Sequence, residues 1–146
     1  MQLDNTAERR NLANQLIENM LNERKQLLAL LLQTSKLEPD DTDNPDEDLL
    51  EEFCQVLVDY IAAGHFGLYE RISQGKERRK SVMDVAGIVY PKIEQSTQIA
   101  LKFSSKYNAE RKKVKLSDLQ KDLSTLGEIL TSRIELEDQL ISRILK

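Results

Sequence analysis

Residues 53–72 read FCQVLVDYIAAGHFGLYERI, and their apolar side chains recur at the spacing of an α-helix. One face of this helix collects the residues Phe53, Leu57, Ile61, Gly64, Leu68 and Ile72. The sequence Asn44-Pro45-Asp46-Glu47 is a typical helix start, and Gln74-Gly75 is a typical helix end. The stretch therefore predicts one amphipathic helix that is capped by Asn44, runs from Pro45 to about Ser73 and packs its apolar face into a core.

One large aromatic side chain falls outside that apolar face. On a wheel of about 100° per residue, Phe66 lies roughly 170° from the centre of the core face. Asp59 and Glu70 lie within about 40° of Phe66, with Ala62 and Ala63 close by. An exposed ring between two acids and above small side chains is suited to a cationic partner helix, whose apolar residues could bury the ring. The alternative is a single exposed phenylalanine without a function, which is common on protein surfaces.

Three further segments carry helical periodicity. A first helix is expected from about Asn5, and a fourth from Ser117 to the end of the chain. The third predicted helix spans Arg78–Tyr107 and contains Pro91, whose ring would clash with the carbonyl of Gly87. We therefore expect that helix to be kinked or divided into two short pieces.

No segment shows the alternation of a β-strand, and the polar links between the helices are short. The sequence therefore predicts an all-α protein, namely an antiparallel up-down four-helix bundle with a kinked or broken third helix. A chain of 146 residues fits a single domain over residues 1–146.

The composition restricts the classes of function. The net charge is −4, which argues against direct nucleic-acid binding, and the basic clusters Lys76–Lys80 and Arg111–Lys115 fit solvated helix ends. A single cysteine, Cys54, suits a reducing compartment. The N-terminal residues lack the apolar core of a signal peptide, so we expect none, and the longest apolar run, Leu27 to Leu32, is too short for a membrane span. We expect a cytoplasmic monomer without nucleic acid or membrane contact.

Two charged residues interrupt apolar stripes: Arg24 in the first helix and Glu137 in the fourth. A buried unpaired charge costs several kcal/mol, so each charge needs a partner or access to water. One interpretation is an internal ion pair, with each other or with Arg71 and Glu135. The other is that the two stripes open into a groove that takes a ligand.

Signals of catalysis are weak. His65 is the single histidine, and one exposed histidine on a four-helix bundle is typical also of histidine phosphotransfer domains. Those domains usually continue His-x-x-Lys-Gly, whereas this chain reads His65-Phe66-Gly67-Leu68-Tyr69. No base accompanies Cys54, and neither zinc spacing nor a nucleotide-binding glycine pattern is present. We expect a protein that is not an enzyme and that uses no cofactor and no metal.

The FCQ-x-LVDY and AGHF-xx-YERI motifs within residues 53–72 resemble the signature of the regulator of sigma D (Rsd/AlgQ) family of anti-sigma factors. Weaker matches occur at residues 24–28, at Tyr90-Pro91, at residues 126–128 and at residues 136–141. The resemblance implies a helical bundle that binds the C-terminal domain of the primary sigma factor. Such binding hides a basic DNA-reading surface of that domain and competes with core RNA polymerase.

The resemblance also implies which residues make contact. Asp59, Phe66 and Glu70 match family positions suspected at the interface, while His65 and Arg71 match positions whose role is interface or structure. The candidate partner-binding residues are Arg24, Asp59, Ala63, His65, Phe66 and Glu70. The family usually carries Arg-Trp-Leu where this chain reads Asn19-Met20-Leu21, so an aromatic contact there is weakened or absent. Some relatives also bind the phosphocarrier protein HPr, which leaves an adaptor of another regulator as the alternative function.

Overall fold

The computed structural model describes residues 2–36, 47–75, 77–110 and 115–145. Its elements are α1 (Gln2–Ser35), α2 (Glu47–Gly64), a π-helical segment (His65–Tyr69), α3 (Glu70–Ser73), α4 (Lys80–Glu110) and α5 (Leu116–Ile144). Because α2, the π-helical segment and α3 follow one another directly, the described residues form four helices without a strand. The all-α prediction is confirmed. No helix in these ranges combines the length and the apolar character that crossing a bilayer requires.

The four helices enclose one apolar core. α1 packs on α2, α2 on α4, α4 on α5, and α5 on α1. The ring of Phe53 in α2 meets the ring of Phe103 in α4 edge to face, with 5.8 Å between the ring centroids. The side chains with no more than 1% exposure include Met20, Leu27, Leu50, Phe53, Cys54, Leu57, Tyr60, Leu68, Val82, Val89, Ala100, Tyr107, Leu119, Leu126, Leu130 and Leu140.

The predicted core face of the second helix is confirmed. Five of its six members are buried and the sixth, Ile72, packs on the core while partly exposed. The predicted end is also confirmed, because Gly75 has a positive φ of 71° and donates its N–H to the Ile72 carbonyl at 3.1 Å. The predicted start at residues 44–46 lies outside the described residues. The prediction of one regular α-helix was wrong at residues 65–69, where a π-helical turn intervenes.

The expected division of the third helix was also wrong. α4 runs without a break from Lys80 to Glu110 with Pro91 inside it. Pro91 and Gly87 are both exposed, so the Gly87 carbonyl, which loses its usual helical donor, faces water. A proline on the solvent side of a long, well-packed helix therefore does not end it.

The link between α3 and α4 is held by one buried carboxylate. Glu77 is 7% exposed and pairs with Arg71 at 3.3 Å and with Arg79 at 3.0 Å. Arg79 also donates to the carbonyl of Ile144 at 2.9 Å. This cluster fixes the C-terminal end of α5 to the link that follows α3.

Candidate functional site

The π-helical segment presents Phe66 to solvent. The Glu70 N–H donates to the His65 carbonyl, five residues back, which is the hydrogen bond that defines a π turn. Phe66 is 53% exposed, as the wheel predicted. The His65 ring, itself exposed, stands edge to face against it with 5.2 Å between the centroids.

Two carboxylates accompany Phe66 on the same continuous helix. Asp59 is exposed and accepts a hydrogen bond from Gln55 at 3.0 Å. Glu70 is half-buried and accepts one from Gln74 at 3.2 Å. Both donors are neutral amides, and in the described part of the chain neither carboxylate forms a salt bridge. Their negative charges are therefore available to a cationic partner.

A cleft that the sequence did not predict opens beside Phe66. It encloses about 520 Å³ between the N-terminal half of α1 and the turn that carries Phe66. Its lining residues are Leu12, Ala13, Leu16, Phe66, Glu70, Arg71, Gln74, Gly75 and Arg78. Leu12 is 56% exposed, so the cleft continues the apolar surface of Phe66 onto α1. The arrangement offers an apolar recess with charged groups at its edge.

Gly67 permits the close approach of α1 to this turn. A Cβ atom at Gly67 would lie 3.2 Å from the carbonyl oxygen of Leu16, which is tighter than most side chains allow. Only a glycine lets the two backbones meet without displacement at this point. The cleft and the position of Phe66 therefore both depend on Gly67.

A buried polar cluster lies beneath the site, and its centre is Glu137 of α5, which has no solvent exposure. The Glu137 carboxylate accepts hydrogen bonds from Arg24 at 3.2 Å, Arg133 at 3.2 Å and Tyr69 at 3.0 Å, and also from the Tyr60 hydroxyl. The first of the two predicted arrangements, in which Arg24 and Glu137 form an internal ion pair, is confirmed.

Arg133 is the member of this cluster that the sequence analysis missed. It is 1% exposed, and besides Glu137 it donates to the neutral oxygens of Ile93, Ser96 and Thr97 on α4 at 3.4, 3.0 and 2.7 Å. Arg133 lies one helical turn before Glu137 on the same face of α5, and this spacing could have predicted their contact from the sequence.

The cluster changes the protonation equilibria of its members. Burial, reinforced by the Glu137 charge, raises the pKa values of the Tyr60 and Tyr69 hydroxyls above their ordinary range. Burial alone would lower the pKa of Arg24, but its hydrogen bond to Asp138, 2.7 Å long, and the charge of Glu137 raise it overall. Both tyrosines therefore stay protonated donors to Glu137.

The structure brings together most, but not all, of the candidate partner-binding residues. Asp59, Ala63, His65, Phe66 and Glu70 follow one another along a single helix. Arg24 instead has a side chain that is 11% exposed and engaged with Glu137 and Asp138. The suggested partner Arg71 pairs with Glu77.

Comparison with known proteins gives matches over nearly the whole chain. Residues 1–145 match the family model described as "Regulator of RNA polymerase sigma(70) subunit, Rsd/AlgQ". A protein named Regulator of sigma D from Yersinia enterocolitica is 37% identical over 133 residues, which cover 88% of this chain and 80% of the relative. Proteins of the same name from Shigella boydii and from Escherichia coli O1:K1 are each 36% identical over 147 aligned residues, which cover 99% of this chain and 92% of the relative.

Proposed function

Because the chain belongs to the Rsd/AlgQ family of regulators of the RNA polymerase sigma(70) subunit, we propose that it is an anti-sigma factor that binds the C-terminal domain of the primary sigma factor. The contact surface is formed by Phe66, Asp59 and Glu70, with Ala63 and His65 beside them. Binding there covers the basic, DNA-reading surface of the sigma domain and prevents its contact with core polymerase. This role places the protein in the cytoplasm and requires neither catalysis nor a cofactor.

The exposed Phe66 ring is the observation that carries this proposal. A phenylalanine that is 53% exposed leaves a large apolar area in water, and burial of apolar area is a main source of binding free energy. The adjoining cleft of about 520 Å³ can receive an apolar side chain from the partner. Within one small area the partner can therefore bury the Phe66 ring and insert a side chain of its own into the cleft.

Charge complementarity selects the kind of partner. Asp59 accepts from the amide of Gln55 and Glu70 from the amide of Gln74. Within the described residues neither carboxylate pairs with a cation, so a Lys or Arg of the partner can pair with both. A surface that reads DNA is rich in such cations. Opposite charges at the edge of an interface chiefly raise the association rate and fix the orientation of the two proteins.

The departure from the family at residues 19–21 does not weaken this surface. Met20, which stands where the family usually has tryptophan, has no solvent exposure. That position therefore contributes to the core and not to the contact surface. In this chain the aromatic residue of the contact surface is Phe66.

The same proposal includes the arrangement of the helices. Consecutive helices contact one another and α5 contacts α1, and these contacts support the proposal of an antiparallel up-down bundle with a single core. A rigid bundle of this kind, comprising one domain, holds the contact residues on one helix and keeps their relative positions fixed before binding.

Titration calorimetry against the isolated C-terminal domain of the sigma factor tests the proposal. Phe66→Ala should weaken binding by about 2 kcal/mol or more, which is roughly 30-fold in Kd. Asp59→Lys, which places a cation before a basic partner, should weaken binding and reverse part of its salt dependence. The matched control is Ile88→Ala, which removes a side chain that is 68% exposed on α4 and should leave Kd unchanged. Wild-type affinity in both site variants would remove this surface from consideration.

A further inference from the structure

Tyr69 ends the π-helical segment and is held from three directions. Its hydroxyl donates to the Glu137 carboxylate at 3.0 Å. Its ring stands edge to face against Tyr90 of α4, with 5.5 Å between centroids, and the Arg133 guanidinium lies 6.0 Å from the ring centroid. Tyr69 is only 4% exposed, so the last residue of the π turn is fixed to α4 and α5 at once.

The π turn allows two contacts, one with α1 and one with α5, that a regular α-helix could not make together. Gly67, Leu68 and Tyr69 are three consecutive buried residues. In an α-helix three consecutive side chains span about 200° of the circumference, which is more than one core-facing side. The wider turn lets Gly67 meet Leu16 on α1 while Tyr69 reaches Glu137 on α5. Phe66, immediately before these residues, is left facing water.

We propose that Tyr69 and the buried Glu137 carboxylate are positioning residues for partner binding, because their hydrogen bond holds the π turn that presents Phe66 beside Asp59 and Glu70. This inference rests on the proposed function and adds a buried determinant to it. Neither residue touches the partner. Both act through the backbone of residues 65–69.

The mechanism is a competition between two helical geometries. An isolated π turn is less favourable than an α-helix, so contacts outside the turn must maintain it. When the hydroxyl of Tyr69 is removed, the turn can relax toward α geometry, and Phe66 rotates relative to Asp59 on the preceding α2. The partner then binds only the fraction of molecules that retain the π turn, and the apparent Kd rises in inverse proportion to that fraction.

Tyr60 supplies a matched control. It also donates its hydroxyl to Glu137 and is also buried, but it lies in the regular part of α2, before the π turn. Tyr69→Phe should raise Kd for the sigma domain about tenfold, the factor expected if one molecule in ten keeps the turn. Tyr60→Phe removes the same kind of hydrogen bond and should leave Kd within about twofold of wild type.

Fluorine NMR gives a readout that does not require a partner. The chain has three phenylalanines, and two of them, Phe53 and Phe103, are buried. The resonance of fluorinated Phe66 is therefore recognised by its response to a soluble paramagnetic agent. Each Tyr→Phe variant adds a fourth fluorinated ring, at a buried position that the agent does not reach. In Tyr69→Phe the Phe66 resonance should shift or split, while those of Phe53 and Phe103 stay in place. In Tyr60→Phe the Phe66 resonance should remain at its wild-type position.

A second pair of variants covers the case in which Tyr69→Phe does not fold. Gly67→Ala places a Cβ 3.2 Å from the Leu16 carbonyl and disturbs the π turn from the α1 side. Gly87→Ala is its control, because a Cβ there meets nothing within 4 Å. Gly67→Ala should weaken sigma binding and shift the Phe66 resonance, and Gly87→Ala should do neither.

Each outcome decides the inference. Wild-type Kd and an unmoved Phe66 resonance in Tyr69→Phe would overturn it. Equal losses in Tyr69→Phe and Tyr60→Phe would also overturn it, because they would reflect a general loosening of the core. If the wild-type protein does not bind the sigma domain, the proposed function fails, and the Phe66 resonance alone then decides whether Tyr69 positions the ring.

Discussion

Replacing Glu137 with glutamine should destabilise the fold far more than a surface substitution does. The carboxylate, which has no solvent exposure, is the centre of a buried network with two guanidinium groups and two tyrosine hydroxyls. Glutamine keeps the shape of the side chain and one acceptor oxygen, but it removes the negative charge. The perturbation is therefore electrostatic and leaves the packing almost unchanged.

The magnitude follows from the two arginines. Arg24 keeps a carboxylate partner in Asp138 at 2.7 Å, so it stays compensated. Arg133 is 1% exposed, and the acceptors that remain for it on α4 are neutral oxygens of Ile93, Ser96 and Thr97, so its charge is left buried without a carboxylate. Removing one partner of a buried ion pair costs about 3–5 kcal/mol. For a chain of this size that corresponds to a fall in Tm of about 6–20 °C.

Urea unfolding followed by circular dichroism measures this loss as a lower midpoint at an unchanged slope. Glu135→Gln is the matched control, because Glu135 is an exposed carboxylate on the same helix and its loss should cost no more than about 0.5 kcal/mol. Combining Glu137→Leu with Arg133→Met should cost less than Glu137→Leu alone, because the double change leaves no orphaned charge on Arg133. A loss below about 1 kcal/mol for Glu137→Gln would refute the reasoning.

Three further predictions concern the helix ends and the proline. Burial alone would raise the pKa of Glu77, but the hydrogen bonds and charge of Arg79 lower this pKa overall. The ionised Glu77 carboxylate therefore stabilises the fold above the unfolded pKa of about 4.3, and this stabilisation is lost as the pH falls through the folded pKa. Glu77→Gln should therefore lower the free energy of unfolding at pH 7, with a difference from wild type that shrinks toward pH 3 in acid titrations of urea stability; a difference that grows in acid would contradict this. Gly75→Ala should cost about 1 kcal/mol by thermal unfolding because its φ is 71°, whereas no loss would mean that another conformation is available there. Pro91→Ala should raise Tm because it restores a helical donor inside α4, and a lower Tm would show that the ring itself stabilises the helix.

The parts of the fold that the sequence predicted are those with unbroken α periodicity. The core face of the second helix from Phe53 to Gly64, the exposure of Phe66 and the end at Gly75 all follow from residue spacing and glycine chemistry. The presence of Arg24 and Glu137 in apolar stripes made an internal ion pair one of two predicted arrangements, and the structure has that pair.

The parts that the sequence did not predict depend on contacts between distant residues. The π turn arises because Gly67 must meet α1 while Tyr69 meets α5, and nothing in residues 65–69 alone specifies either contact. The third helix continues through Pro91 because the proline faces water, and that orientation depends on the packing of the whole helix. The cleft beside Phe66 is likewise formed by two separate segments, α1 and the turn, so a helical wheel drawn for one helix cannot predict it.

Amide hydrogen exchange of the complex with the sigma domain tests the docking surface most directly. We predict that binding protects the segment from Asp59 to Gln74 and the facing residues Leu12 to Leu16 of α1, which surround the cleft. The exposed side of α4 around Ile88, a side chain that is 68% exposed, lies outside the proposed contact surface and should exchange at its free rate. Protection on α4 with unchanged exchange from Asp59 to Gln74 would contradict the account.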